Sequence, residues 1–168
     1  MVRIPVEKEL TRKQIQRRVN FFRGLIRLFG GKAMGPRHPA GKELFLDTEA
    51  GRVRVLGYNL EDPRTLPLFV NIHGSGFTIG HAEMDDRYMP DIVQKAGVKI
   101  LSIDYSLAPE AMFPVAANEC YAVVKYAGEH AGELGIDPGS IGLGGHSAGG
   151  NLCAAALLMD AERRELDV

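Results

Sequence analysis

The densest concentration of chemistry in the 168 residues is at 142–151, Gly-Leu-Gly-Gly-His-Ser-Ala-Gly-Gly-Asn, where five glycines surround Ser147. Glycine gives up more backbone freedom on folding than any other residue. Such a cluster therefore signals a chain path that tolerates no side chains. Gly145, Ser147 and Gly149 form the pattern G-x-S-x-G. On a sharp strand-to-helix turn this pattern relieves the clash of flanking side chains and exposes the serine hydroxyl. The turn would lie at the carboxyl end of a sheet, the edge where open α/β sheets bind ligands. The backbone N–H of Ala148 would open the following helix, unpaired and facing any developing negative charge. The chemistry implied is nucleophilic attack on a carbonyl. The plainer alternative is a glycine-rich turn with a bystander serine.

A second cluster, His73-Gly74-Ser75-Gly76-Phe77, follows an apolar run. Backbone N–H groups of a glycine-rich loop can hold the oxyanion of a tetrahedral intermediate. The candidate donors are Ser75 and Gly76, with Ala148 as the third. His73 is expected to hold the loop's shape through the backbone rather than to act as a base. His146 is expected to pack, because a neighbour on a sharp elbow points away from the serine. A third segment, Asp104-Tyr105-Ser106-Leu107-Ala108-Pro109-Glu110, ends another apolar run and is expected to brace the floor of the site.

The elements that must position these residues are legible from periodicity. Apolar residues at spacings of three to five over 6–29 predict an amphipathic helix that stops at Gly30-Gly31, followed by a Gly/Pro-rich linker over 31–41. Residues 43–59 predict two strands around a turn near 49–51. The runs at 66–74, 98–105 and 140–145 predict strands buried on both faces. Helices are predicted over 82–96, 115–131 and from Ser147 onward. Alternation of strand and helix implies an α/β fold, a mostly parallel sheet with helical crossovers. Two units are expected: a basic N-terminal cap helix and linker over 1–40, and the α/β body over 41–168.

Composition narrows the function classes. The net charge of −1 and the 45% apolar content suit a soluble protein and give no argument for nucleic-acid binding. Charge is uneven, with +7 on residues 1–32 and −8 on the rest. The expectation is a helix that docks on the body with a solvated basic face, rather than one that binds a membrane surface. Cys120 and Cys153 show no metal or disulfide spacing and read as reduced core residues. Neither a metal nor a cofactor is expected. The N-terminus has no apolar signal segment and no run approaches a membrane span, so the expected location is cytoplasmic.

Together the three motifs resemble the hormone-sensitive-lipase family of α/β-hydrolases, in its bacterial carboxylesterase branch. The family loop H-G-G-G-[FW] corresponds to residues 73–77, with Ser75 in place of the middle glycine. The family segment D-Y-R-L-A-P-E corresponds to 104–110, with Ser106 in place of arginine. The elbow G-D-S-A-G-G-N corresponds to 145–151, with His146 in place of aspartate. The resemblance covers roughly residues 40–160 and the basic helix is similar to the family's N-terminal cap. It implies a serine carboxylesterase acting on small esters of short-to-medium acyl chains.

It also implies a triad in the order Ser, Asp, His. After Ser147 the only acids are Asp160, Glu162, Glu165 and Asp167, and no histidine follows. The resemblance therefore makes the chain the N-terminal half of a hydrolase, a truncated fold whose last strand has a bare outer edge. That edge is expected to pair with a second copy or with a polypeptide supplying the remaining strands. A module that binds an ester or carboxylate without turnover, and a remnant without function, are the competing readings.

Overall fold

The apolar runs pair as their composition requires. In the computed structural model, which describes residues 10–29, 39–74 and 76–165, β3 (Leu66–Ile72) and β4 (Lys99–Asp104) lie parallel, from Leu68↔Lys99 to Ile72↔Ile103. The hairpin of β1 (Lys42–Thr48) and β2 (Gly51–Tyr58) turns at Glu49-Ala50 and joins antiparallel to β4. The last strand, β5 (Ile136–Gly145), joins β3 in parallel. The sheet order is β1-β2-β4-β3-β5. This is an α/β fold: a five-stranded mixed sheet with helices between its parallel strands and an N-terminal helix.

Both faces of the sheet's centre are covered. One face sets Val70, Ile72, Leu101 and Ile103 against Cys120, Val123 and Val124 of α3 (Val115–Glu129) and Leu152 and Cys153 of α5 (Ala148–Arg163). The other sets Leu56, Tyr58 and Ile100 against Ala82 and Met89. Both cysteines are buried and free. Lys99 is also buried. Its ammonium donates to the Leu134 carbonyl at 2.9 Å, at the end of the short helix α4 (Ala131–Leu134), and so satisfies a helix-terminal acceptor.

Four expectations need correction. The helix expected over 82–96 is broken: a 3-10 turn at Ala82–Asp85 precedes α2, Met89–Ala96. Pro90 sits in the first turn of α2, where its missing N–H costs nothing, whereas in mid-helix its ring would clash with the preceding turn. Asp85 and Asp86 turn inward instead: Asp85 accepts from Asn71 Nδ2 at 3.1 Å and Asp86 from the Tyr58 hydroxyl at 2.9 Å. The helix expected over 115–131 ends at Glu129, with His130 outside helical geometry before α4.

Strand β5 is longer than expected and is not buried on both faces. Only Ile136 and Ile141 of its residues are buried, while Gly142 and Gly145 are exposed. No strand pairs with its outer edge among the described residues. Finally, α1 (Arg12–Phe29) docks through only part of its apolar stripe, with polar residues beside it. Gln16, Val19, Arg23 and Ile26 face the body, half-buried, while Phe21, Leu28 and Phe29 remain 70%, 74% and 78% exposed. The linker at 31–41 lies mostly outside the described residues.

The turn at Ala82–Asp85 is tied to the sheet by charge. Arg54 on β2 donates to Glu43 at 2.6 Å, to Glu83 at 2.5 Å and to Asp104 at 2.8 Å. Burial alone would raise the Glu83 carboxyl, but hydrogen bonds from Arg54, from backbone and from His81, with the charge of Arg54, together outweigh it and hold the group at about 2. A carboxyl depressed in the folded state stabilises it above the unfolded value of ~4.3, and that contribution disappears as pH falls through about 2. Arg54→Met is expected to cost ~2–4 kcal/mol at pH 7, because it strands Glu83 and Asp104 without their cation. Urea unfolding between pH 7 and pH 2 checks this: wild type should lose stability more steeply than the variant below pH 4.

Candidate active site

The parallel pairing of β3 and β5 brings the two glycine motifs together. Gly145 at the end of β5 lies opposite Ile72 at the end of β3, so the elbow and the loop opening at His73 emerge side by side. Ser147 occupies the residue between β5 and α5 with φ 52° and ψ −118°. Only glycine adopts that backbone region without strain, so the surroundings must enforce it. They do so by proximity. A Cβ on Gly145 would run into the Ile72 carbonyl oxygen and lie 2.8 Å from the Gly149 carbonyl carbon. A Cβ on Gly149 would overlap the same oxygen and stand 2.8 Å from that of His73. The helix therefore starts directly on the end of β3. Ser147 is exposed there, and Ala148 is buried in the first turn of α5.

His73 is fully buried and stacks on Tyr105, with ring centroids 4.3 Å apart. Its Nδ1 donates to the Gly74 carbonyl at 2.8 Å, and the Tyr105 hydroxyl donates to the His73 carbonyl at 3.0 Å. Burial lowers its basicity below the usual histidine range, which keeps the ring neutral. The ring is thus held within the loop that it opens. His146 is largely exposed; its Nδ1 lies 3.9 Å from Asp85 Oδ2, and its ring lies close over Gly74, where an added Cβ would stand 2.6 Å from His146 Nε2. The other described histidines are engaged elsewhere, His81 with Glu83 and His130 with the Tyr126 carbonyl. No described histidine bonds to Ser147.

Ser75 lies outside the described residues. Its neighbour Gly76 has φ 68° and Phe77 has φ 62°, two successive left-handed residues that turn the loop. Asp104 accepts from the Ala82 N–H at 3.0 Å and from Arg54, which assigns both of its oxygens to holding the 3-10 turn. Ser106, where the family has arginine, donates through its N–H and hydroxyl to Glu119 of α3 at 2.6 and 2.7 Å. Among the described residues no cluster of acids, cysteines and histidines could hold a metal ion, and no helix is long and apolar enough to cross a membrane.

Sequence reasoning missed the clamp between Arg23 and Glu110 and the buried set Asn71, Ser102 and Asp85, in which Asn71 Nδ2 also donates to Ser102 Oγ at 2.9 Å. The adjacent acids Asp85-Asp86, inside an otherwise amphipathic stretch, were a signal for the second. Nothing local marked Arg23 among its basic neighbours.

A serine on a strained strand-to-helix elbow, beside a glycine loop at the carboxyl edge of a mostly parallel sheet, defines the α/β-hydrolase class. The family model for the alpha/beta hydrolase fold matches residues 69–168, and the chain belongs to that family. It is 46% identical over 99 residues to the hormone-sensitive lipase of Mus musculus, covering 59% of this chain and 13% of that protein. It is 38% identical over 135 residues to the carboxylic ester hydrolase LipN of Mycobacterium tuberculosis, covering 78% and 36%. The hyperthermophilic esterase from Pyrobaculum calidifontis superposes with a TM-score of 0.72 at 30% identity, over 95% of this chain and 50% of that one. A bacterial heroin esterase gives 0.74 at 30%, over 96% and 51%. These relatives are ester hydrolases and lipases. The chain spans about half the length of the solved esterases and less of the curated relatives.

Proposed function

We propose that the chain is the nucleophile-bearing half of a serine carboxylesterase acting on small esters of short-to-medium acyl chains. The observation that carries this reading is Ser147 itself, exposed at φ 52° on an elbow whose glycines cannot be replaced, beside the loop that begins at His73. Ser147 Oγ attacks the ester carbonyl and its proton passes to a base. The N–H groups of Ala148, Gly76 and Ser75 hold the oxyanion. The alkoxide leaves with that proton, and water then releases the acid from the acyl-serine.

His73 is buried and turned to the backbone, and His146 lies over Gly74, so neither serves as the base. We assign the base and its orienting acid to further strands beside β5, whose outer edge has no neighbour among the described residues, whether these strands are covalently continuous with this chain or carried by a second polypeptide. A second copy of the chain pairing through the same edge is the alternative partner. Expected masses for a monomer, a homodimer and a heterodimer separate these by sedimentation.

A non-catalytic binding module is the competing reading, favoured by the lack of a histidine bonded to Ser147 among the described residues. Reaction with a fluorophosphonate decides between them. Ser147 in the 168 residues is expected to label, slowly, and Ser147→Ala not at all, read by intact mass. Equal labelling of both, or of neither, would sink the nucleophile assignment.

A further inference from the structure

Arg23 of α1 reaches across to both segments that border the candidate site. Its Nε donates to the Thr78 carbonyl at 2.7 Å and its Nη2 to the Ala108 carbonyl at 2.9 Å. Its Nη1 and Nη2 donate to the Glu110 carboxylate at 2.7 and 3.0 Å. The Arg23 hydrogen bonds pull the Glu110 carboxyl down to about 2, so it is ionised at neutral pH. Between these contacts the Ala108 N–H donates to the Phe77 carbonyl at 2.9 Å. The carbonyls of Phe77 and Thr78 are thus held one after the other, directly behind the left-handed pair Gly76-Phe77.

A phenylalanine at φ 62° is strained and persists only where its surroundings hold it. The structure supplies the brace at that point. We propose that Arg23 is a positioning residue for the oxyanion loop: a guanidinium from the N-terminal helix fixes the Gly76-Phe77 turn and with it the direction of the loop's N–H groups. This rests on the reading of residues 73–77 as the oxyanion loop. The requirement is for arginine rather than for a positive charge. One planar fork reaches two carbonyls and a carboxylate at once, which a lysine ammonium on a single stem cannot match. Gln16 also donates to Glu110, at 2.7 Å, and shares only the carboxylate. The helix is otherwise held by the half-buried Val19 and Ile26, so its polar clamp is also the link between α1 and the site.

The test is hydrogen exchange by mass spectrometry on Arg23→Met, Arg23→Lys and Glu110→Gln, with urea unfolding of each. Amides of residues 76–80 are expected to exchange ~10-fold faster or more in both Arg23 variants, with β3 and β4 amides and the urea midpoint little changed. Wild-type protection in Arg23→Lys would overturn the proposal, because charge alone would then suffice. So would faster exchange confined to α1, or acceleration spread evenly over the sheet. A parallel arm follows fluorophosphonate labelling of Ser147. Slower labelling in both Arg23 variants supports positioning, and unchanged labelling argues against it. If wild type does not label, the esterase reading fails by itself and the exchange data still decide the role of Arg23.

Discussion

Hydrolysis of p-nitrophenyl butyrate by residues 1–168 is expected to rise ~10⁴-fold or more when a second polypeptide carrying an esterase relative's later strands and histidine is co-expressed. The magnitude follows from how triads act. A serine without a base is a weak nucleophile, and oxyanion donors and substrate binding alone leave only ~10³–10⁴-fold over water. Members of a triad act as a unit, so restoring the missing ones recovers a large factor in one step.

The structure provides the surface on which such a partner would sit. The outer edge of β5 is unpaired among the described residues. On α5, the helix that follows β5 and packs on it, Leu157 and Leu158 stand exposed, apolar area whose burial would drive association. Steady-state rates are compared for the pair, for the pair with Ser147→Ala, and for the pair with the partner's histidine replaced. A stable complex with no gain in rate, or the same gain without that histidine, would refute the assignment of the base to the partner.

The second large effect is on stability. Gly149→Ala is expected to cost at least ~4 kcal/mol, enough to leave little folded protein. The added methyl would overlap the Ile72 carbonyl oxygen and stand 2.7 Å from its carbon. These are backbone atoms of a central strand, which cannot swing aside as a flexible side chain could. Relief would require lifting α5 off the end of β3, and with it the packing of Leu152 and Cys153. Gly142→Ala is the control. Nothing lies within 4 Å of its added Cβ, so its cost should stay within ~1 kcal/mol. Urea unfolding of the two variants should differ widely; equal midpoints would show that the elbow tolerates a side chain.

The glycines at 145 and 149 were legible because their requirement is local. A strand, a reversal and a helix within ten residues leave room for nothing larger, and that constraint is written in the residues themselves. The same holds for the hairpin at Glu49-Ala50 and for the apolar strands β3 and β4. The helix expected over 82–96 was misread because its spacing is amphipathic on paper. Pro90 ends the pattern, and Asp85 and Asp86 find their partners on β2 and β3, positions that a window of residues does not contain.

For α1 the sequence determined that a basic, amphipathic helix exists, and its spacing pointed to an apolar docking face. The tertiary structure decided that only Val19 and Ile26 of that stripe dock, beside Gln16 and Arg23. One carboxylate and two loop carbonyls meet Arg23 at sequence separations of 55 to 87 residues, and four charge-assisted hydrogen bonds turn the helix so that Arg23 faces the body beside Val19 and Ile26. By itself, then, the sequence determined the order of strands and helices, the serine elbow and the glycine loop, since each follows from backbone sterics over a few neighbours. Only the folded chain decided that the two motifs stand side by side, through the β3–β5 pairing. It also decided that the stretch at 82–96 breaks, so that Asp85 and Asp86 reach Asn71 and Tyr58, and that Arg23 meets Glu110 and two loop carbonyls. Those outcomes depend on which distant groups come within bonding distance, and that is a property of the packed sheet.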